Sequence, residues 1–223
     1  MGKSRYQRGG DLRRIVLDAS LELIGSDGVA ALSMREVARK AGVTHGAPYH
    51  HFADRAAILA AIAEEGYGLL AASMRTAVGA VPPSDAQGRF EACGVAYFEF
   101  ALRHTAYFRV MGRPELWDPE KHPGLDTAGM AALEVLIECV RDLQSAKLAP
   151  TAADPMALVL TGWSSAHGLA ALWIDGPLAR GVLGADPKTM AQRVARTLGD
   201  LIAAGATLER IATLGAVHLK PTR

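Results

Sequence analysis

Residues 33–52, SMREVARKAGVTHGAPYHHF, restrict the possible folds of this chain more than any other segment. Ser33-Met34-Arg35-Glu36 has the spacing of a capping box. In that arrangement the serine side chain accepts from the Glu36 amide and the Glu36 carboxylate returns to the serine amide, so a helix starts here. It ends at Ala41-Gly42-Val43, where Gly42 can take the positive φ that a tight reversal between helices needs. Thr44 is then placed to cap a third helix running to about His51. Two short helices joined through so tight a turn form the layout that sets a recognition helix into the major groove of DNA. Val37, Ala38, Val43, Tyr49 and Phe52 fall where they can pack the pair against a preceding helix. Ser33 and Arg35, together with Thr44, His45, Gly46, Ala47, Tyr49 and His50, lie on or near the side that would meet DNA. Small residues there admit the phosphate backbone, while hydroxyl, imidazole and guanidinium groups donate to phosphate or base edges.

A helical hairpin that packs only against protein has similar spacing, and charge separates the two readings. The 223 residues carry a net charge of only +1, but residues 1–60 hold nine Lys and Arg against six Asp and Glu, with His45, His50 and His51 besides. The positive charge therefore sits where phosphate would be met, and the remainder of the chain is slightly acidic.

Elsewhere the chain reads as helical throughout, because apolar stripes at three- and four-residue spacing recur between short Gly, Pro and Asp punctuation. A first helix is expected from about Asp11 to Gly25, and a fourth from Asp54 to about Gly79. Ser84-Asp85-Ala86-Gln87 repeats the capping logic and opens a helix to His104; Arg113 to Asp126, with three prolines, reads as loop, and another helix covers about Thr127 to Lys147. Asp154-Pro155 and Asp186-Pro187 each place an N-cap aspartate before a proline at the first helical position, opening helices to about Ile174 and Ala204. The fold class is therefore all-α: a three-helix helix-turn-helix domain and a C-terminal helical bundle, about nine helices in total. The expected divisions are a basic arm (1–10), a DNA-binding domain (11–57), a sensing and dimerisation domain (58–204) and a tail (205–223), with the helix from 54 to about 79 linking the domains.

The run from Arg13 to Ile62 resembles the tetracycline-repressor (TetR) family closely, in the first helix, the capping box, the Ala-Gly-Val-Thr turn and the Tyr-x-His-Phe ending at residues 49–52. The resemblance implies a DNA-binding transcriptional regulator, a ligand-responsive repressor acting as a homodimer on a palindromic operator. It also implies a DNA-backbone role for Arg55, which stands where relatives usually have lysine. One departure is Pro48: if Thr44 caps, the proline removes the amide that would bond back to it, so the recognition helix is expected to start irregularly.

Residues 96–112, AYFEFALRHTAYFRVMG, followed by residues 163–173, WSSAHGLAALW, resemble the subgroup of that family with a Trp-x-x-x-His-Gly signature. The resemblance implies a ligand cavity and a dimer formed by the last two long helices. Phe100, His104, Tyr107, Phe108, Trp117, Trp163 and His167 are the pocket candidates for a largely apolar, unidentified effector. Trp163 and His167 either touch that ligand or pack the core. Leu158, Gly162, Ser165 and Leu169, with Met190, Val194, Leu198 and Leu201, are the candidate dimer interface.

Enzyme, cofactor and metal readings find no support in the pattern. His104, His122 and His167 include no ligand pair at helical spacing, and there is no Gly-x-Ser-x-Gly, phosphate loop or dinucleotide glycine pattern. Cys93 and Cys139 belong to no closely spaced pair and read as core residues. No run approaches the roughly 18 uninterrupted apolar residues of a membrane span, and a cytoplasmic protein is expected. A helical interaction protein without DNA binding is the rival class.

Overall fold

A computed structural model describes residues 12–180, 184 and 186–218; the basic arm at 1–10 lies outside the described residues. They form eight α-helices, with several short 3₁₀ turns. These are α1 (Leu12–Asp27), α2 (Met34–Ala41), α3 (Arg55–Gly79), α4 (Ala86–Arg103), α5 (Thr105–Met111), α6 (Gly124–Ser145), α7 (Pro155–Ile174) and α8 (Pro187–His218). The described residues fall into two compact units, one made of 12–69 and 104–130, the other of 70–103 and the described residues from 131 onward. The unit carrying the helix-turn-helix therefore extends beyond residue 57 and takes in α5 and the start of α6.

Local capping accounts for most helix starts. Asp54 Oδ1 accepts from the Ala57 amide at 2.8 Å, Asp154 Oδ1 from Met156 at 3.0 Å, and Asp186 Oδ2 from Thr189 at 2.8 Å. Before α4 the cap is Asp85, which takes the Gly88 amide at 2.8 Å, and not Ser84 as the capping-box spacing suggested. A carboxylate one residue nearer the helix satisfies the free amide better than the serine could.

In the first unit, α1 packs against α2, the turn that follows it, and α5. Val16, Leu17, Ile24, Val37, Ile58, Leu59, Ile62 and Val110 are its largest fully buried apolar side chains. α5 is a separate helix that the apolar pattern running to His104 does not announce. His104 (φ −126°, ψ 50°) breaks the helical path, and seven residues then form a new helix. So short a helix is marginal alone and needs tertiary partners. Tyr107, Phe108, Val110 and Met111 are all buried, and Tyr67 Oη donates to the Met111 carbonyl at 2.6 Å. Gly66 admits this packing, because a Cβ there would lie 2.6 Å from Met111 Sδ and 3.0 Å from Tyr107 Cδ1.

In the second unit, α4 packs between α7 and α8. Arg89 of α4 pairs with Asp142 of α6, Glu99 with Lys188 at 2.8 Å, and Gln87 Nε2 donates to Asp200 at 2.9 Å. Cys93 and Cys139 are both buried here, and Phe98 meets Trp173 edge-on with ring centres 5.9 Å apart. α8 does not end at Ala204; it continues to His218, so the expected tail at 205–218 is helix. Gly205, which looked like a stop, is a packing glycine whose Cβ position lies 3.2 Å from Pro150 Cγ. One turn further on, the Glu209 carboxylate accepts from the amides of Thr151 and Ala152, both at 2.7 Å, and Arg210 donates to the Lys147 carbonyl at 2.6 Å. These contacts extend the helix past a residue that costs about 1 kcal/mol of helix propensity.

By length and composition, α3 and α7 are apolar enough to cross a membrane. Half of the apolar window of α3 is buried, but only 17% of that of α7 is. Met156, Leu160 and Trp163, on one side of α7, and Leu172, on the other, are exposed.

Gly66→Val is expected to lower stability by roughly 1–3 kcal/mol through overpacking against Tyr107 and Met111, despite removing a helical glycine. Thermal denaturation followed by circular dichroism reads this, and an unchanged or raised melting temperature contradicts the packing.

Candidate nucleic-acid interface

α2 begins as its sequence directs. Ser33 takes the extended N-cap conformation and its Oγ accepts from the Glu36 amide at 3.2 Å. The Glu36 carboxylate, however, accepts from Arg39 Nε at 2.8 Å, a salt bridge along the helix surface. Gly42 closes α2 in the left-handed conformation (φ 68°), and the Val43 amide reaches back to the Ala38 carbonyl at 3.0 Å.

The third helix is a 3₁₀ turn, Ala47–His50, not an α-helix. Its bonds run from Ala47 to Thr44, from Tyr49 to Gly46 and from His51 to Pro48, each spanning three residues at 2.9–3.2 Å. Pro48 has no amide to give to Thr44, so the α-helical register cannot be set there. In consequence the cap position is Gly46, without a side-chain hydrogen bond, and Thr44 contributes its carbonyl in place of the expected side-chain cap.

The turn sorts the candidate residues by face. Ser33, Arg35, Thr44, His45, Gly46 and His50 are exposed, and Tyr49 is 50% exposed. His45 and Tyr49 lie with ring centres 6.2 Å apart, forming an aromatic edge on the outer face. Ala47 does not belong with them: it is 3% exposed, and Pro48 beside it is also buried. The 3₁₀ turn rotates both inward, where Phe52 is likewise buried beneath the Arg13 guanidinium, 5.4 Å from the ring centre. Tyr49, which could have packed inward, instead faces out. Arg55 is half-buried; its Nε donates to the Leu32 carbonyl and its Nη2 to the Val29 carbonyl, both at 2.8 Å.

A polar network behind this face joins three helices. Arg14 Nη1 on α1 donates to both oxygens of Glu65 on α3 at 2.8 Å, and the Tyr107 hydroxyl on α5 donates to Glu65 Oε1 at 2.6 Å. Burial alone would raise the Glu65 carboxyl, but the hydrogen bonds from Tyr107 and Arg14 outweigh it and hold the group below its ordinary value of 4.5. Burial and the bond to that carboxylate push the Tyr107 phenol up to about 12. At the other end of α5, Arg109 Nη1 reaches the carbonyls of Ile24 and Gly25, closing α1, at 3.4 and 3.3 Å. Of these partners only Tyr107 stands out in the sequence, as a pocket candidate, and the pairings themselves span 42 to 85 residues.

The pocket candidates divide between the two units. His104, Tyr107, Phe108 and Trp117 belong to the first, where His104 meets Tyr107 edge-on at 6.0 Å. Phe100, Trp163 and His167 belong to the second. Phe100 is buried, and His167 lies half-buried with its Nδ1 2.9 Å from the Tyr97 hydroxyl. Trp163, at 42% exposed, stands on the outer side of α7. Among the described residues no group of three His, Cys, Asp or Glu could hold a metal ion.

The interface candidates also resolve by face. Gly162 is turned into its own unit, with a Cβ position 3.2 Å from the Phe90 ring. Leu158, Ser165, Leu169, Met190, Val194 and Leu198 are half-buried along the flanks, and Leu201 is 66% exposed. Leu208, Ile211 and Leu214 continue that exposed stripe along α8.

An all-helical chain whose helix-turn-helix presents hydroxyl, imidazole and guanidinium groups on one face has the form of a DNA-binding regulator. Residues 16–62 match the model for bacterial regulatory proteins of the tetR family, and residues 90–198 match that for the tetracyclin repressor-like C-terminal domain. The chain belongs to the tetR family of transcriptional regulators. It is 38% identical over 64 residues to the HTH-type transcriptional regulator AcrR of Shigella flexneri, a match covering 29% of this chain and 30% of AcrR, so the chain matches less than a third of that relative's length. A protein of unknown function from Rhodococcus sp. RHA1 shares the fold at TM-score 0.75 and 33% identity, over 90% of this chain and all of that one. AibR, solved with isovaleryl coenzyme A and operator DNA, shares it at TM-score 0.68 and 17% identity, over 86% of this chain and 99% of AibR.

Acid should destabilise the protein through two groups. Burial holds His167 below its ordinary value of 6.5, so the unfolded chain binds more protons there, and stability present above 6.5 is lost as pH falls toward the lowered value. Glu65 contributes stability present above 4.5 that is lost as pH falls through its own lowered value. In melting curves taken against pH, His167→Gln should remove the first loss and Glu65→Gln the second; acid profiles unchanged in both variants contradict these assignments.

Proposed function

We propose that the chain is a dimeric, ligand-responsive repressor that binds a palindromic operator through Ser33, Arg35, Thr44, His45, Gly46, Tyr49 and His50. The observation that carries this reading is the outward face of the 3₁₀ turn, where His45, Tyr49 and His50 stand exposed while Ala47 and Pro48 anchor the turn inside. Exposed side chains of this chemistry, on a backbone fixed from behind, are what phosphate and base-edge contacts require.

The dimer would form through the outer faces of α7 and α8. Met156, Leu160 and Trp163 recur at helical spacing on α7, and Leu201 and Leu208 on α8 are 66% and 68% exposed. A soluble regulator gains by covering such a stripe, and a two-fold axis through it makes a four-helix interface. The same axis sets two readers on the two halves of a palindrome. Trp163 fits this interface better than a ligand pocket. The effector would act from the second unit, with the Tyr97–His167 pair as its polar anchor, and α3 would carry the signal. That helix has 25 residues, about 37 Å at 1.5 Å per residue, and runs from the first unit to Leu69 into the second from Leu70. Coenzyme A thioesters are the first effector class to assay, given the ligand of AibR.

Selection from a random duplex pool should recover a palindrome whose complex weakens steeply with salt. Failure to enrich any sequence overturns the reading. Tyr49→Ala and His50→Ala should each weaken that complex by about tenfold while leaving the dimer intact in analytical ultracentrifugation. Leu201→Asp with Leu208→Asp should do the reverse, giving monomers first and losing operator affinity as a consequence. Equal loss of dimer and DNA binding in Tyr49→Ala would mean that the reader and the interface have been misassigned.

A further inference from the structure

We propose that Arg55 is a positioning residue that fixes the entry of α2, not a phosphate ligand. The inference rests on the DNA-reading function proposed above. Arg55 opens α3 directly after the Asp54 cap. A cation in the first turn of a helix meets the positive end of the helix dipole and gains nothing from it. Its guanidinium is turned instead to the chain between α1 and α2, with Nε on the Leu32 carbonyl and Nη2 on the Val29 carbonyl at 2.8 Å each.

The two acceptors are not arbitrary. Val29 begins the 3₁₀ turn Val29–Ala31 and Leu32 closes it, the Leu32 amide returning to the Val29 carbonyl at 3.2 Å. In a helix of three residues per turn, groups three positions apart line up, so the two carbonyls present a paired acceptor. One edge of a planar guanidinium carries two donors in a fixed fork and fits such a pair, whereas an ammonium is a single point donor. The side chains of Val29 and Leu32 are buried, so their backbone cannot drift while the clamp is closed. The next residue is Ser33, the N-cap of α2, followed after one residue by exposed Arg35. The clamp thus ties the start of α3, just beyond the 3₁₀ reader turn, to the start of α2. Both ends of the reading surface are held by one side chain.

A phosphate contact and a clamp differ in a measurable quantity. Each phosphate neutralised contributes about 0.9 to the slope of log affinity against log salt on duplex DNA. The test uses the full-length dimer and the duplex recovered by selection, at a temperature where melting curves show every variant folded. Arg55→Ala is expected to weaken binding about tenfold, the factor lost with one hydrogen bond to a charged group. The salt slope should stay at its unsubstituted value, and amide exchange at Leu32 to Glu36 should quicken. Arg55→Lys retains the charge and the fold, and is expected to recover neither the affinity nor the exchange protection. A slope that falls by about 0.9 in Arg55→Ala with unchanged exchange, or full recovery of affinity by Arg55→Lys, overturns the assignment. Unchanged affinity in folded Arg55→Ala overturns it as well, leaving the residue a purely structural part. If the unsubstituted protein enriches no duplex, it is the DNA-reading function that fails, a result distinct from any of these.

Discussion

The carboxylate of Glu65 holds the first unit together in a way that no apolar contact does. It receives Arg14 from α1 and Tyr107 from α5 while sitting on α3, so three helices distant in sequence share one acceptor. A partly buried carboxylate without such donors would cost several kcal/mol, and each donor it does have must come from a fixed direction. The geometry therefore makes α5 part of the DNA-reading unit. Arg109 on the Ile24 and Gly25 carbonyls and Tyr67 on the Met111 carbonyl repeat the tie at the other end of the same short helix. What α5 gains is an identity as a helix at all: seven residues have too little internal hydrogen bonding to persist without neighbours.

Features with partners two or three residues away were legible in the sequence. The caps of Ser33, Asp54, Asp154 and Asp186, the left-handed Gly42 and the loss of α-helical register at Pro48 all follow from local chemistry. What escaped depends on contacts across the fold. Gly205 has the same composition signal as a helix stop, and only Pro150 and the Glu209 carboxylate on the 151–152 amides reveal why α8 runs through it. The resemblance implies a phosphate role for Arg55, and nothing local announces that Leu32 and Val29, 23 and 26 residues earlier, accept from its Nε and Nη2. The exposure of His45 and His50 was legible, but Tyr49 fitted either face, and the inward turn of Ala47 was not legible because it depends on a 3₁₀ twist in place of an α-helical one.

The second unit shows how little helical spacing fixes about a face. Trp163 and His167 are one turn apart, and at 3.6 residues per turn they differ by only about 40° around α7. Yet His167 meets the Tyr97 hydroxyl and is half-buried, while Trp163, Leu160 and Met156 on the same arc of α7 stay exposed, so what covers each residue differs along the helix axis. The stripe through Leu158, Gly162, Ser165 and Leu169 lies on the opposite side of α7, where Gly162 lets the Phe90 ring approach the helix backbone. An amphipathic helix within a single chain needs one apolar face, and α7 has two. The inner one is used by α4, and the outer one continues in character along Leu201, Leu208, Ile211 and Leu214 of α8. Large side chains left at such exposure on two helices of one unit are a standing cost in water, about 25 cal/mol per Å² of apolar surface. A second surface that removes that cost also fixes the distance between two copies of the reader. The same excess of apolar residues on α7 that makes it resemble a membrane span is what the proposed two-fold interface would use.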